Sequence, residues 1–271
     1  MKERIDVLAV QQGLFETREK AKRGIMAGLL YNENNQRFDK PGEKIPAETK
    51  LHIKGEKFPY VSRGGLKLKK ALASFGLDVT DKIILDIGSS TGGFTDVALR
   101  SGAAMSYALD VGYNQLAWSL RQDPRVEVME RVNFRYSKPE DFTKGLPDVA
   151  TIDVSFISLR LIFPPLKNIL VHNGEVVALV KPQFEAGKEQ VGKHGVIKDP
   201  KVHQMVLEKA FSYALDAGFT IAGLDFSPIT GGVGNIEFLL YLKNNEDVQQ
   251  LVSKEEIKEV VTKAHQTLRQ D

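Results

Sequence analysis

The spacing of apolar positions divides the chain into a short leading unit and a long body. In the leading unit Ile5, Leu8 and Ala9 recur at i, i+3 and i+4, the period of one helical face, and Gly13 stops that helix. Thr17 is placed to cap a second helix that turns Ala21, Ile25 and Met26 inward and closes at Gly28. Short strands follow at Leu29–Asn32 and Lys50–Ile53, with turns at Asn34–Asn35 and at Lys40-Pro41-Gly42. Residues 1–55 therefore read as a small α/β unit, and 56–62 as a linker.

From residue 63 to 245 the pattern changes to apolar runs alternating with helical periods. Candidate strands are Ile83–Ile87, Ser106–Asp110, Val126–Glu130, Val149–Val154, Val176–Lys181, Thr220–Phe226 and Glu237–Lys243. Helices fit at Gly65–Phe75, Thr95–Arg100, Gln115–Arg121 and Val202–Ala217. Strand–helix alternation of this kind predicts a mostly parallel, doubly wound sheet of seven strands. Residues 183–200 read as a loop longer than most connections, which marks it as a candidate functional segment. The tail, 246–271, predicts a helix: Ser253 and Glu256 have capping-box spacing, and Ile257, Val260, Val261 and Ala264 share a face.

Charge sharpens the division. The first 70 residues hold 16 Lys and Arg against 9 Asp and Glu, an excess of 7, whereas the whole chain carries +2. A basic head on a mildly acidic body suits a polyanionic partner, with RNA or DNA the first candidates. Arg4, Arg18, Lys20, Lys22, Arg23 and Arg63 are the candidate contacts. Composition adds limits. No apolar run approaches the length of a membrane span, and the first residues, MKERIDVLAV, lack the apolar core of a secretory signal, so a cytoplasmic protein without a membrane role is expected. There is no cysteine, which excludes disulfides, thiolate-ligated metals and a Cys nucleophile. No metal is expected.

Two constellations carry chemistry. The first is the turn after the Ile83–Ile87 strand, Asp86-Ile87-Gly88-Ser89-Ser90-Thr91-Gly92-Gly93-Phe94. Glycines there admit a ligand close to the backbone, and the following helix offers free N–H groups. Ser90 stands where the dinucleotide fingerprint requires glycine, and no Walker lysine is present. The loop resembles motif I of class I S-adenosylmethionine-dependent methyltransferases. Asp110 ends the next strand, where an acid can accept hydrogen bonds from both ribose hydroxyls of that cofactor.

The second constellation lies at the strand ends. Asp153 (in TIDVSF) and Lys181 (in VVALVKPQF) end their strands, and Glu237 begins the last one. Ligands of open α/β sheets bind at the carboxyl ends of strands. If the last strand is antiparallel, all three groups share that edge. Lys67, early in its helix, can reach it as well. A hydroxyl acceptor must lose its proton as the methyl group arrives, and a lysine can take that proton if burial or a second cation lowers its pKa.

The segments VSRGGLKL, LDIGSSTGGFTDVAL, LDVGYNQLAWSLRQDPRV, IDVSFISL, LVKPQFEAGKEQVG and GNIEFLLYL resemble the hemolysin A-like (TlyA) rRNA 2′-O-methyltransferases of the FtsJ-like group, over nearly the whole chain. RIDVLAVQQGLFETREKAKRGIMAGLLYNE and KPGEKIPAETKLHI resemble an S4-like RNA-binding domain. The resemblance implies a Rossmann-like class I methyltransferase domain behind that small head. It implies S-adenosyl-L-methionine as cofactor, held by the glycine loop, Asp110 and Asn133. It places a Lys-Asp-Lys-Glu tetrad on Lys67, Asp153, Lys181 and Glu237, with Lys181 as the base. The implied substrate is a cytidine ribose in ribosomal RNA or in a ribosomal subunit. Phe94, Trp118 and Phe156 are apolar neighbours of this edge, Trp118 expected in the core. Oxygen is the favoured acceptor, because carbon-5 chemistry needs the missing Cys and Asp153-Val154-Ser155-Phe156 lacks the prolines of an amino-methylating element. The alternatives are a non-catalytic RNA-binding or ribosome-assembly factor and a haemolysin-like membrane-active protein.

Overall fold

The computed structural model describes residues 2–26, 28–34, 36–53 and 59–268. The chain divides into two units, residues 1–59 and 60–271.

The leading unit holds β1 (Lys2–Arg4), α1 (Ile5–Gln11), α2 (Arg18–Met26), β2 (Leu30–Asn32), β3 (Arg37–Phe38), β4 (Lys44–Pro46) and β5 (Leu51–Ile53). Strands β3-β2-β5 form one antiparallel sheet and β1-β4 a second. Ile5, Leu8, Ala9, Ala21, Ile25, Leu30, Phe38, Ile45 and Leu51 make its core. The Thr17 hydroxyl accepts from the Lys20 N–H at 3.2 Å, the cap its position predicts. Met26 does not turn inward: it sits in the last turn and is exposed. Of the expected Asn34–Asn35 turn, Asn35 lies outside the described residues, as do residues 56–58 of the expected linker.

The second unit is built on a seven-stranded sheet: β6 (Ile83–Ile87), β7 (Met105–Asp110), β8 (Val126–Glu130), β9 (Val149–Ile152), β10 (Glu175–Val180), β11 (Thr220–Phe226) and β12 (Phe238–Lys243). The spatial order is β11-β12-β10-β9-β6-β7-β8, with β12 antiparallel to both neighbours and β10-β9-β6-β7-β8 parallel. This is the mostly parallel sheet that the sequence predicts. Its helices are α3 (Gly65–Phe75), α4 (Gly93–Arg100), α5 (Trp118–Arg121), α6 (Phe163–Ile169), α7 (Pro182–Glu185), α8 (Pro200–Asp216) and α9 (Lys254–Leu268). One apolar layer joins α6, α8 and α9 to the sheet, and another joins α3 and α4 to it. The α9 capping box forms, with Glu256 accepting from the Ser253 N–H at 2.7 Å and Ser253 from the Glu256 N–H at 3.2 Å. Ile257, Val261 and Ala264 of α9 are buried in the first layer.

The stretch 183–200 is not the open loop its composition suggested. It carries α7 and short 3-10 turns at Lys188–Gln190 and Lys193–Gly195. Asn235 fastens its end, accepting from the Ile197 N–H at 3.0 Å and donating to the Gly195 carbonyl at 2.8 Å. Among the described residues no helix is long and apolar enough to cross a membrane.

Candidate active site

Strand register brings the charged strand ends together. Ile87 of β6 and Ala178 of β10 both pair with Ile152 of β9, and Val180 pairs with Phe238 at the start of antiparallel β12. The residues just outside those pairs are Gly88, Asp153, Lys181 and Glu237, so they meet at one edge. The neighbouring strands still hold them: the Gly88 N–H donates to the Leu109 carbonyl at 2.8 Å, the Asp153 N–H to the Ile87 carbonyl at 3.0 Å, and the Glu237 carbonyl accepts from the Ser227 N–H at 2.8 Å.

The four charged groups form a continuous chain. Lys67 Nζ lies 2.7 Å from Glu237 Oε2 and 3.2 Å from Asp153 Oδ2. Lys181 Nζ lies 2.5 Å from Asp153 Oδ1 and donates to the Ser155 hydroxyl at 3.1 Å. The order is Glu237–Lys67–Asp153–Lys181–Ser155, two carboxylates alternating with two ammonium groups. Side-chain exposure is 10% for each lysine, 3% for Glu237 and 19% for Asp153. Charges this buried persist only when paired.

The electrostatics separate the roles. Burial pushes the Lys67 ammonium down, but Asp153 and then Glu237 outweigh it, so its pKa lies above the ordinary lysine value. Burial pushes Asp153 up, yet Lys67 and Lys181 together hold it below the usual carboxylate range. Lys67 is therefore a fixed cation and Asp153 a fixed anion at neutral pH. Neighbouring Lys70 is committed elsewhere, to Asp225 Oδ1 at 3.0 Å and the Phe226 carbonyl at 2.6 Å, and Lys69 is exposed. That settles which lysine of the KLKK run enters the cluster.

The glycine loop lies against this chain. Gly88 has φ +84°, and a Cβ there would stand 2.6 Å from the Asp153 carbonyl oxygen. Gly93 lets the start of α4 touch the start of α3: a Cβ there would meet the Gly65 nitrogen at 2.8 Å. These two close approaches put the loop, Asp153 and the helix bearing Lys67 side by side. Asp110 grips the loop from the next strand, its two oxygens accepting from the Ser90 N–H at 2.8 Å and the Gly112 N–H at 2.7 Å. Each oxygen keeps a further lone pair for a ligand hydroxyl.

Among the expected cofactor residues, Ser89 is buried in the loop, Ser90 is exposed, Thr91 is half-buried and Gly92 has φ +95°. Asn133 is exposed after β8 and accepts from the Arg135 N–H at 3.2 Å. Two expectations change. Asp86 is wholly buried beneath the loop, accepting from Thr95 Oγ1 at 2.8 Å, the Thr95 N–H at 3.1 Å and Thr151 Oγ1 at 3.0 Å. Burial pushes its carboxyl up to about 7. It shapes the turn from below and presents nothing to a ligand. Phe94 packs into the apolar layer beneath α4 rather than lining the edge. Trp118 is corrected in the opposite direction: it is 70% exposed, because α5 is a single turn whose buried side is taken by Leu120.

One residue that carries no signal of its own in the sequence belongs here: Ser155, whose hydroxyl touches Lys181. Beside it Phe156, an expected apolar neighbour, is 91% exposed with φ +63°, a backbone state costly for a bulky side chain. The IDVSF string marks their place, but only the fold reveals the exposure.

The expected nucleic-acid contacts divide. Arg4 and Arg18 are both bound to the buried Asp6, at 3.0 and 2.9 Å, and Lys20 and Lys22 pair with Glu16 and Glu19. The Arg4 hydrogen bond, against the opposing effect of burial and with help from Arg18, holds the Asp6 carboxyl down at about 2. Arg23 is exposed on α2, and Arg63 is exposed just before α3.

Comparison with known proteins gives a consistent picture. The model of the FtsJ-like methyltransferase family matches residues 60–244. YqxC of Bacillus subtilis (strain 168) is 62% identical over 272 residues, covering 99% of this chain and 96% of that protein. The 16S/23S rRNA (cytidine-2′-O)-methyltransferase TlyA of Mycobacterium tuberculosis is 41% identical over 90% of this chain and 91% of its own length. Hemolysin A of Brachyspira hyodysenteriae is also 41% identical, over 88% and 98%. A solved structure from Streptococcus thermophilus is 62% identical with a TM-score of 0.80, covering 98% of this chain and 96% of that one.

Proposed function

Since this chain belongs to the FtsJ-like methyltransferase family, we propose that it methylates the 2′-hydroxyl of a cytidine ribose in ribosomal RNA, with S-adenosyl-L-methionine as methyl donor. The observation that carries this reading is the Glu237–Lys67–Asp153–Lys181 chain gathered beside the glycine loop. The names of the TlyA relatives supply the substrate class.

The residues fit the cofactor. The Gly88–Gly92 backbone would lie along it, the Asp110 carboxylate would take the ribose hydroxyls, and Asn133 would border the adenine. When bound, S-adenosylmethionine supplies an electrophilic methyl group. The protein's own task is then to bind, orient and deprotonate the acceptor. Lys67 holds Asp153 and Glu237 in place as a permanent ammonium. Asp153 divides its charge between two lysines, and Lys181 is the one beside the exposed Ser155. For this step Lys181 must be the neutral amine, having given its own proton to solvent; its Nζ then takes the proton of the 2′-hydroxyl as the oxygen–methyl bond forms and the sulfur–methyl bond of the donor breaks. With every group fixed by a strand end or an ion pair, most of the rate comes from positioning. Phe156 offers a flat apolar face at the mouth for the substrate base. The basic head, an S4-like domain over residues 1–55, anchors the RNA or the assembled subunit. An rRNA substrate implies a cytoplasmic enzyme.

The test is a ribose-methylation map of rRNA incubated with S-adenosylmethionine and either the wild-type protein or Lys181→Ala. At least one new 2′-O-methylcytidine is expected with the wild type and none with the variant, while the variant still binds RNA. Undiminished methylation by Lys181→Ala removes the mechanism. RNA binding without methylation by the wild type would instead make the protein a binding factor.

A further inference from the structure

Lys181 is the N-cap of α7, and Phe184 and Glu185 lie within that short helix. Each meets the segment that follows β9. Lys181 donates to Ser155 at 3.1 Å, and the Phe184 ring lies 5.0 Å from that of Phe156. Glu185 accepts from the Ser158 hydroxyl at 2.7 Å through Oε2 and from the Leu159 N–H at 2.8 Å through Oε1. Glu185 is itself buried, with its own carbonyl held by Lys209 Nζ at 3.0 Å, and Leu159 is sealed in the core. The segment is thus docked at three successive points, and the deepest is a carboxylate with both oxygens engaged.

The docked segment cannot hold this shape unaided. Phe156 sits at φ +63° with its ring in solvent, and a relaxed backbone would swing both Phe156 and Ser155 away. We infer that Glu185 is a positioning residue for methyl transfer: it pins the 155–159 segment to the helix that follows Lys181, and so sets the placement of Ser155 and Phe156 against that lysine. The inference rests on Lys181 being the base. Glu185 never touches substrate. It acts through the segment it holds.

Full-length Glu185→Ala and Glu185→Gln test this by steady-state methylation of rRNA. Glu185→Ala lowers kcat about tenfold or more, while KM for S-adenosylmethionine and for RNA stays within about twofold. Glu185→Gln keeps kcat within about threefold, because its amide oxygen still accepts from Leu159 and its NH2 donates to the Ser158 hydroxyl, which can also accept. Ser158→Ala, which removes one of the two bonds and the hydroxyl that accepts from the Arg160 N–H, lowers kcat about threefold with a modest fall in melting temperature. It serves as the test if Glu185→Ala does not fold. An unchanged kcat in Glu185→Ala or in Ser158→Ala overturns the inference, as does a Glu185→Gln enzyme as impaired as the alanine variant. Lys181→Ala, run alongside, separates the two ideas. Activity retained there removes the base assignment. Activity lost there with wild-type rates in Glu185→Ala removes only the role given to Glu185.

Discussion

Replacing Lys67 with Met keeps an unbranched side chain of similar length and removes the one cation that joins Glu237 to Asp153. Glu237 is 3% exposed and is then left without an ionic partner, and Asp153 retains only Lys181. Breaking a buried pair from one side costs about 3–5 kcal/mol, because the remaining charge stays desolvated. In a unit of this size each kcal/mol moves Tm by roughly 2–4 °C, so Lys67→Met melts about 10 °C lower at pH 7.5. The pH dependence identifies the cause. In the wild type the folded pKa of Asp153 is depressed, so its stabilisation is full above the unfolded value near 4 and is lost only as pH falls through the lower folded value. In the variant the stranded carboxylates prefer to be protonated, so the folded state binds protons more readily than the unfolded one. Stability of the variant therefore rises as pH falls from 7.5 to 5.5. Urea titrations followed by circular dichroism, with both proteins at both pH values, measure this. The gap between wild type and variant should narrow by about 1 kcal/mol or more at the lower pH. A gap below about 1 kcal/mol at pH 7.5, or one of the same size at both pH values, refutes the claim that Lys67 acts as a buried counter-ion.

Gly88→Ala drives a Cβ to 2.6 Å from the Asp153 carbonyl at φ +84°, so S-adenosylmethionine affinity measured by calorimetry should fall at least about tenfold. Asp86 has a folded pKa raised to about 7, so as an anion it destabilises the fold progressively from about pH 4 up to about pH 7. Asp86→Asn should therefore compare better with wild type at pH 8 than at pH 5, and equal differences at both would show that Asp86 titrates normally. In the head, Arg18→Ala should lower the melting temperature through the loss of Asp6 pairing. Arg23→Ala should leave melting unchanged but weaken RNA binding and flatten its salt dependence by about one counterion.

The body was legible because a parallel sheet buried on both faces writes its strands as apolar runs. Ile83–Ile87 begins and ends where the run does. The head was less so. β1, β3 and β4 have two or three residues each and exist because partners such as Pro46 and Leu30 lie opposite, a long-range cause that leaves no local period. Helix α7 hides for a related reason: four residues cannot display an amphipathic stripe, so 183–200 looked like loop. Trp118 and Phe94 were misplaced in opposite directions because an aromatic next to a binding loop has two uses, and only the packing of Leu120 and of the layer under α4 decides between them.

The site shows the same boundary between local and distant causes. Asp153, Lys181 and Glu237 were found because each breaks an apolar run at its end, and the parallel order of strands, with one antiparallel, sends those ends to one edge. Lys67 leaves no such mark. It sits in KLKK, where any of three lysines satisfies the helical period, and its nearer partner is 86 residues away. What selects it is the approach of α3 to α4 across Gly65 and Gly93, where a Cβ on Gly93 would stand 2.8 Å from the Gly65 nitrogen and one on Gly65 3.0 Å from Val97 Cγ2. Close packing at that crossing fixes which turn of α3 overlies the edge, and only Lys67 then reaches both carboxylates. A strand end can be read as a candidate from its own residues. A helix that delivers the central cation can be read only after the glycines that let it approach are seen in place, and those two glycines are as necessary to the tetrad as the charges themselves.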